Sequence, residues 1–252
     1  MAGSDMPPPI VPGYTPRPQV RFEVIGEAWR LVQQQMGVWI AATLLCGLIV
    51  IGMIVVIFLI MGASLIPTIM QGDGARGPSL SALSGPIILI LILLTVVGAV
   101  LSGGMFRMAT RQVRGEQIAV GDLFSVSDVF GPLVIVSVIA ATADQIGNRL
   151  CLLPGLAIHT LWLLAIPIVV DQRLDAIAAL RASWMAMKTD FWMGLLFWIV
   201  MIILMVISAI PCGLGILVTS PLYFVAVSLI YRDFFLSSSP PPAGAPGVPP
   251  TV

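Results

Sequence analysis

Few side chains in this sequence could do chemistry, and most of them stand among apolar neighbours. His159 is the single histidine of the 252 residues, and with Thr160 it sits in the run A-I-H-T-L-W. An imidazole there can bind a ligand or relay a proton. It can also simply donate one hydrogen bond across a helix interface, and that structural role is preferred. The three cysteines, Cys46, Cys151 and Cys212, are far apart in the chain. One histidine and scattered thiols do not supply the several ligands that a metal needs, so no metal or other cofactor is expected. Cys46 reads as a small packing residue. Cys151 and Cys212 both fall at helix ends expected on the outer face, where an oxidising compartment could join them in a disulfide. A nucleophilic Cys212 has no base near it in the sequence. Arg107, Arg111 and Arg114 recur at i, i+4 and i+7, a stripe that can hold anionic lipid headgroups at about 1 kcal/mol per basic residue. The plainer reading is that any multi-pass protein keeps its basic residues on the inside. D-G-A-R (73–76) lacks the spacing and companion aspartates of a phosphoalcohol-transfer site.

The elements that must carry these residues follow from composition. Hydrophobic residues make up 58% of the chain and charged residues only 10%, against roughly a quarter charged in a soluble domain. The apolar residues gather into uncharged runs from Gly37 to Gly72, Gly77 to Phe106, Val129 to Ala143, Leu150 to Val170 and Phe191 to Tyr231. Such runs cross a hydrocarbon layer of ~30 Å at about 1.5 Å per helical residue. The last would reach ~60 Å as one helix, so it must fold back. Pro211 cannot continue a helix and Gly213 and Gly215 tolerate positive φ, which places the turn in P-C-G-L-G. The fold class is therefore all-α: an integral membrane bundle of six transmembrane helices, near 38–66, 84–106, 128–147, 150–170, 191–210 and 213–231. The membrane domain spans 19–236, between Pro-rich tails at 1–18 and 237–252 that should be disordered. The N-terminal tail has no apolar core for a cleaved signal, so the first span is expected to direct insertion.

Basic residues alternate along the connections. Arg17, Arg21 and Arg30 precede the first span, Arg107, Arg111 and Arg114 follow the second, and Arg173, Arg181 and Lys188 follow the fourth; Arg76 and Arg149 stand alone between. This is the positive-inside pattern, with both termini cytoplasmic. Trp39, Trp192 and Tyr231 lie at the cytoplasmic ends of spans and are expected to anchor in the headgroup layer. Two amphipathic cytoplasmic helices are expected on the inner leaflet. One carries a stripe of Phe22, Ile25, Trp29, Val32 and Met36, and the other a stripe of Leu174, Ile177, Leu180, Trp184 and Met187. Gly98, Ala99, Ser102 and Gly103 allow close helix contact. Pro154, Pro167 and Pro221 are expected to kink the fourth and sixth spans. C-L-L-P-G (151–155) and C-G-L-G (212–215) hint at an internal duplication.

F-E-V-I-G-E-A-W (22–29), L-S-G-G-M-F-R-M-A (101–109) with R-G-E (114–116), A-L-R-A-S-W (179–184) and C-G-L-G-I-L-V-T-S-P-L (212–222) ending in Y-R-D (231–233) carry a resemblance. Together they resemble a broad bacterial group of small multi-pass membrane proteins, similar to the membrane domain fused to some glycerophosphodiester phosphodiesterases. The resemblance covers about 22–235, implies the fold, and transfers no catalytic residue. The soluble barrel of the fused members has no room here. The expectation is a non-enzymatic protein of a bacterial inner membrane: a scaffold, an accessory subunit or a lipid-interacting module. Its partners would be membrane lipids and other membrane subunits, with no nucleic acid. The alternative is a transporter of a lipid-like or apolar solute, built around His159 and the kinked helices.

Overall fold

The computed structural model describes residues 20–70, 80–150, 152–210, 213 and 215–236; both expected tails, Cys151 and Cys212 lie outside them, and with these cysteines the disulfide expectation. The described residues form helices and turns without a strand. In chain order the helices are α1 (Glu23–Gln34), α2 (Met36–Met70), α3 (Leu80–Val113), α4 (Phe130–Leu150), α5 (Leu152–Leu161), α6 (Ala165–Gln172), α7 (Ala176–Met187), α8 (Phe191–Ala209) and α9 (Ile216–Tyr231). Two short 3-10 turns, Val120–Phe124 and Ser127–Val129, join α3 to α4, and the chain continues past α9 as a π-turn, Arg232–Leu236. Six helical segments are long and apolar enough to cross a membrane: Met36–Ala63, Ile90–Val113, Val120–Gly147, Gly155–Gln172, Ala176–Ala209 and Ile216–Leu236. The chain has the fold of a multi-pass membrane protein, an all-α bundle.

Local chemistry explains the helix ends. At the end of α3, Gly115 takes φ +83°, and the Glu116 amide donates to the Arg111 carbonyl at 3.0 Å, a left-handed stop that glycine adopts without steric cost. The final uncharged run folds back where expected, with α8 ending at Ala209, Gly213 at φ +75° and α9 beginning at Ile216. The third run forms a single helix from Phe130, with Asp128 in the turn before it, which keeps that carboxylate near the end of the apolar segment.

Packing divides the molecule into two zones. At the charged end, α1 buries Val24, Ala28 and Val32, mainly against α9. Trp39, Met108, Leu123, Val225 and Ile230 are also closed off there. Away from that end the helices present apolar surface: Leu48, Ile51, Val55 and Phe58 of α2, Val206 and Ile207 of α8, and Ile210 just after α8 are exposed. In water such a surface would carry a large hydration penalty, whereas acyl chains cover it at little cost.

Three expectations are corrected. The fourth span is two helices, α5 and α6, separated by a turn at 162–164. The break falls where Pro167 acts: in one continuous helix its ring would meet the Leu163 carbonyl four residues back, with no N–H to bond it, so the expected kink is a full break. Pro167 sits in the first turn of α6, where its missing N–H is tolerated, and Pro221 lies inside an unbroken α9. Second, Trp39 and Tyr231 are 0% and 1% exposed, so they are packing residues; of the three expected anchors only Trp192 is exposed. Third, α7 buries Ala176, Ala179, Leu180, Ser183 and Met187 inside the bundle, so Leu180 and Met187 of the stripe expected on the inner leaflet pack within the protein, while Ile177 and Trp184 of that stripe are exposed. A helix apolar on two sides gave the periodicity two solutions, and the small residues won because they permit the closer approach.

Candidate functional site

The polar residues of the charged end are tied to one another. The Arg107 guanidinium donates to both Asp128 carboxylate oxygens at 2.7 Å and also to the Ser125 carbonyl. Asp128 accepts a second cation, Arg173, at 3.0 Å. Arg111 binds Glu116 at 2.8 Å and Asp122 at 2.6 Å. Arg114 binds Asp171 at 2.6 Å, and the same carboxylate accepts the Tyr231 hydroxyl at 2.6 Å while Gln172 donates to the Tyr231 oxygen at 3.1 Å. Arg232 joins Glu27 and Asp233, and Arg21 reaches Asp233 at 2.6 Å. The Asp233 carboxylate pushes the Arg21 guanidinium further above its ordinary range by hydrogen bonding and charge attraction. The stripe expected to hold anionic lipid is thus already neutralised from within the chain. A headgroup at Arg107, Arg111 or Arg114 would have to displace a carboxylate.

A second polar cluster sits at the root of α2. The Trp39 indole N–H donates to the Gln112 Oε1 at 2.7 Å, and the Gln112 Nε2 donates to the Leu31 carbonyl at 2.6 Å. Gln112 is 2% exposed. One buried amide thereby joins α1, α2 and α3.

The cavity lies at the break in the fourth span. It is a half-open space of about 100 Å³ lined by Phe106, Val136, Ala140, His159, Trp162, Leu163, Ala165, Ile166 and Tyr223. Trp162 and Leu163 of the break form part of its wall. Ser183 of α7 donates to the Leu161 carbonyl at 2.8 Å and accepts from the Leu164 amide at 3.2 Å, which satisfies backbone groups that the interrupted helix leaves behind. On the other side, Phe106 meets Phe224 edge-on with ring centroids 4.8 Å apart. The His159 ring packs on Trp198 with centroids 4.6 Å apart.

His159 and Thr160, adjacent in sequence, part company here. His159 lines the cavity, whereas the Thr160 hydroxyl donates back to the Leu156 carbonyl at 2.8 Å and the residue is fully buried. Trp162, Tyr223 and Phe106 were missed as lining residues because they come from the break, α9 and α3, three segments that sequence periodicity does not bring together. The lining is mostly hydrocarbon, with His159 and Tyr223 as its titratable side chains. Among the described residues no group of three or more His, Cys, Asp or Glu could hold a metal ion. Comparison with protein-family models, curated proteins and solved structures finds no match for this chain.

Proposed function

We propose that the protein is a non-enzymatic, lipid-interacting module of a bacterial inner membrane, with its charged end in the cytoplasm, both termini there, and an apolar group bound in the His159 cavity. The observation that supports this most is the character of the cavity. It reaches the single histidine, yet it is walled by aliphatic and aromatic side chains, while the other acids and bases described in contact are consumed by pairing with one another at the charged end. A dry apolar cavity of roughly 150 Å³ suffices to bind benzene. The space here, about 100 Å³ and half-open, suits the end of an acyl chain. The resemblance to small bacterial multi-pass proteins fits the same reading, as does a role beside other membrane subunits, since α2 offers a long uncovered apolar face.

The test is direct. A phospholipid with a photoactivatable diazirine near the end of one chain, reconstituted with the protein, is expected to label peptides containing His159 and Trp162. Ala140→Phe fills the cavity and should lower that labelling on the order of tenfold, the loss expected when about 1.4 kcal/mol of apolar contact is removed. Labelling unchanged by Ala140→Phe would overturn the proposal. The break at 162–164 beside the cavity also favours the transporter reading, because interrupted helices are where transport sites form. Solute uptake into vesicles that Ala140→Phe abolishes would select it.

A further inference from the structure

The arginines most suggestive of lipid binding in the sequence are spent internally, and the cations left over form a different surface. Among the described residues, Arg30, Arg181 and Lys188 are exposed and make no ion pair. Each stands near exposed tryptophan in the chain: Trp29 next to Arg30, Trp184 three residues after Arg181, and Trp184 and Trp192 either side of Lys188, with Trp192 the most exposed of the three at 77%. On α7 the spacing is regular. Ile177, Arg181, Trp184 and Met185 follow at i, i+4, i+7 and i+8 on one face of α7, and Lys188 and Trp192 come next, in the 3-10 turn Lys188–Asp190 and the first turn of α8. All six are exposed, and the opposite face of α7 is buried through Ala176, Ala179, Leu180, Ser183 and Met187. The neighbouring carboxylates do not neutralise this face. Asp175 falls on the other side of the helix by spacing, and Asp190 accepts the Val20 amide at 2.6 Å. That bond also fixes the start of the α1 segment beside the α7–α8 junction, so the Trp29–Arg30 pair belongs to the same end of the molecule.

We infer that this cation–tryptophan face binds the anionic headgroup layer of the bilayer. Tryptophan places its ring among the acyl chains and its N–H among the headgroups. An unpaired guanidinium or ammonium at that depth meets lipid phosphate, at about 1 kcal/mol per basic residue. The apolar residues interleaved with the cations, Ile177 and Met185, enter the acyl boundary of the same leaflet. Ion pairs within the chain on one set of arginines and free cations on another separate two tasks, holding the charged end together and seating it on anionic lipid. This deepens the proposed lipid interaction but uses no residue of the His159 cavity.

The full-length protein is reconstituted into vesicles of an equal mixture of phosphatidylglycerol and phosphatidylcholine, one of the two carrying bromine on its acyl chain. With Trp162 and Trp198, the two rings at the His159 cavity, replaced by Phe, quenching of tryptophan fluorescence reports which lipid neighbours the exposed rings; Trp39, fully buried, contributes little change. Wild-type protein is expected to prefer phosphatidylglycerol by on the order of tenfold, and Arg181→Gln/Lys188→Gln to lose most of that preference, since about 1 kcal/mol per cation corresponds to roughly fivefold each. The swap Arg181→Lys/Lys188→Arg should keep it, and high salt should weaken it. Neither side chain makes an ion pair among the described residues, so helix content and thermal midpoint should be unchanged in both variants. A wild-type protein without preference, or a double glutamine variant that retains it, overturns the inference. Ala140→Phe should leave the preference intact, so loss of chain labelling with the preference preserved would sink only the cavity reading.

Discussion

Gly104→Ala is expected to disrupt the packing of the charged end and to lower the recovery and thermal midpoint of folded protein sharply. A Cβ at Gly104 would fall inside the van der Waals envelope of the Leu123 carbonyl oxygen and within 2.9 Å of the Leu123 Cα. The obstacle is backbone, in a 3-10 turn that Asp122 and Arg111 hold in place. It cannot rotate away as a side chain would. Overpacking usually costs about 1–3 kcal/mol and more when the backbone must move, so about 3 kcal/mol or more is expected, a large share of a total stability of roughly 5–15 kcal/mol. Two neighbours calibrate the result. Gly103→Ala meets only the Leu133 side chain, which can give way, and Gly98→Ala meets nothing within 4 Å; the first should be intermediate and the second neutral or slightly stabilising, because alanine favours helix. Size-exclusion profiles and thermal midpoints in detergent should rank the variants 98, 103, 104 in order of increasing damage. A Gly104→Ala protein as stable as Gly98→Ala would show that α3 and the following turn do not touch as described.

Gln112→Leu should produce the second large loss. The substitution strands two buried groups, the Trp39 indole N–H and the Leu31 carbonyl, each of which now has the glutamine amide as a partner. An unsatisfied buried group costs about 1–3 kcal/mol, so a loss of roughly 2–5 kcal/mol is expected for the pair. Trp39→Phe removes the donor that Gln112→Leu would strand. The double variant should therefore be less damaged than the two single losses added together, and a double-mutant cycle on the unfolding transition should give a coupling of about 1 kcal/mol or more. Strict additivity would mean that the indole and the amide are not bonded.

How much of this was legible in the sequence depends on the range of the physics involved. The six apolar segments, the fold-back at Gly213 and the helical third run were readable because length, hydropathy and proline or glycine placement act within a single segment. The fate of Arg107, Arg111 and Arg114 was not readable. Their regular spacing showed a basic stripe, but Asp128, Asp122 and Asp171 are brought to it by turns and by α6. Trp39 shows the same limit. Its position at the start of a span suggested an interfacial ring, and only the meeting of α1, α2 and α3 around Gln112 buries it. The break in the fourth span was half legible: Pro167 announced an interruption there, whereas Ser183, which bonds the freed Leu161 carbonyl and Leu164 amide, comes from α7. His159 was singled out as the one ionisable group of the fourth span, but the cavity that gives it an environment needs Phe106 and Tyr223 as well.

The account depends on six crossings, with the turns and short helices of the charged end gathered on one side of the membrane. Single cysteines at Gly121, Thr189 and Ile210, introduced one at a time into a protein lacking its natural thiols, test this with a membrane-impermeant maleimide applied to sealed cells and to inverted vesicles. All three positions are exposed, and a Cβ at Gly121 meets nothing within 4 Å. Gly121→Cys and Thr189→Cys should label only in inverted vesicles and Ile210→Cys only in sealed cells. Labelling of positions 189 and 210 from the same side, or of 121 and 189 from opposite sides, would contradict the architecture.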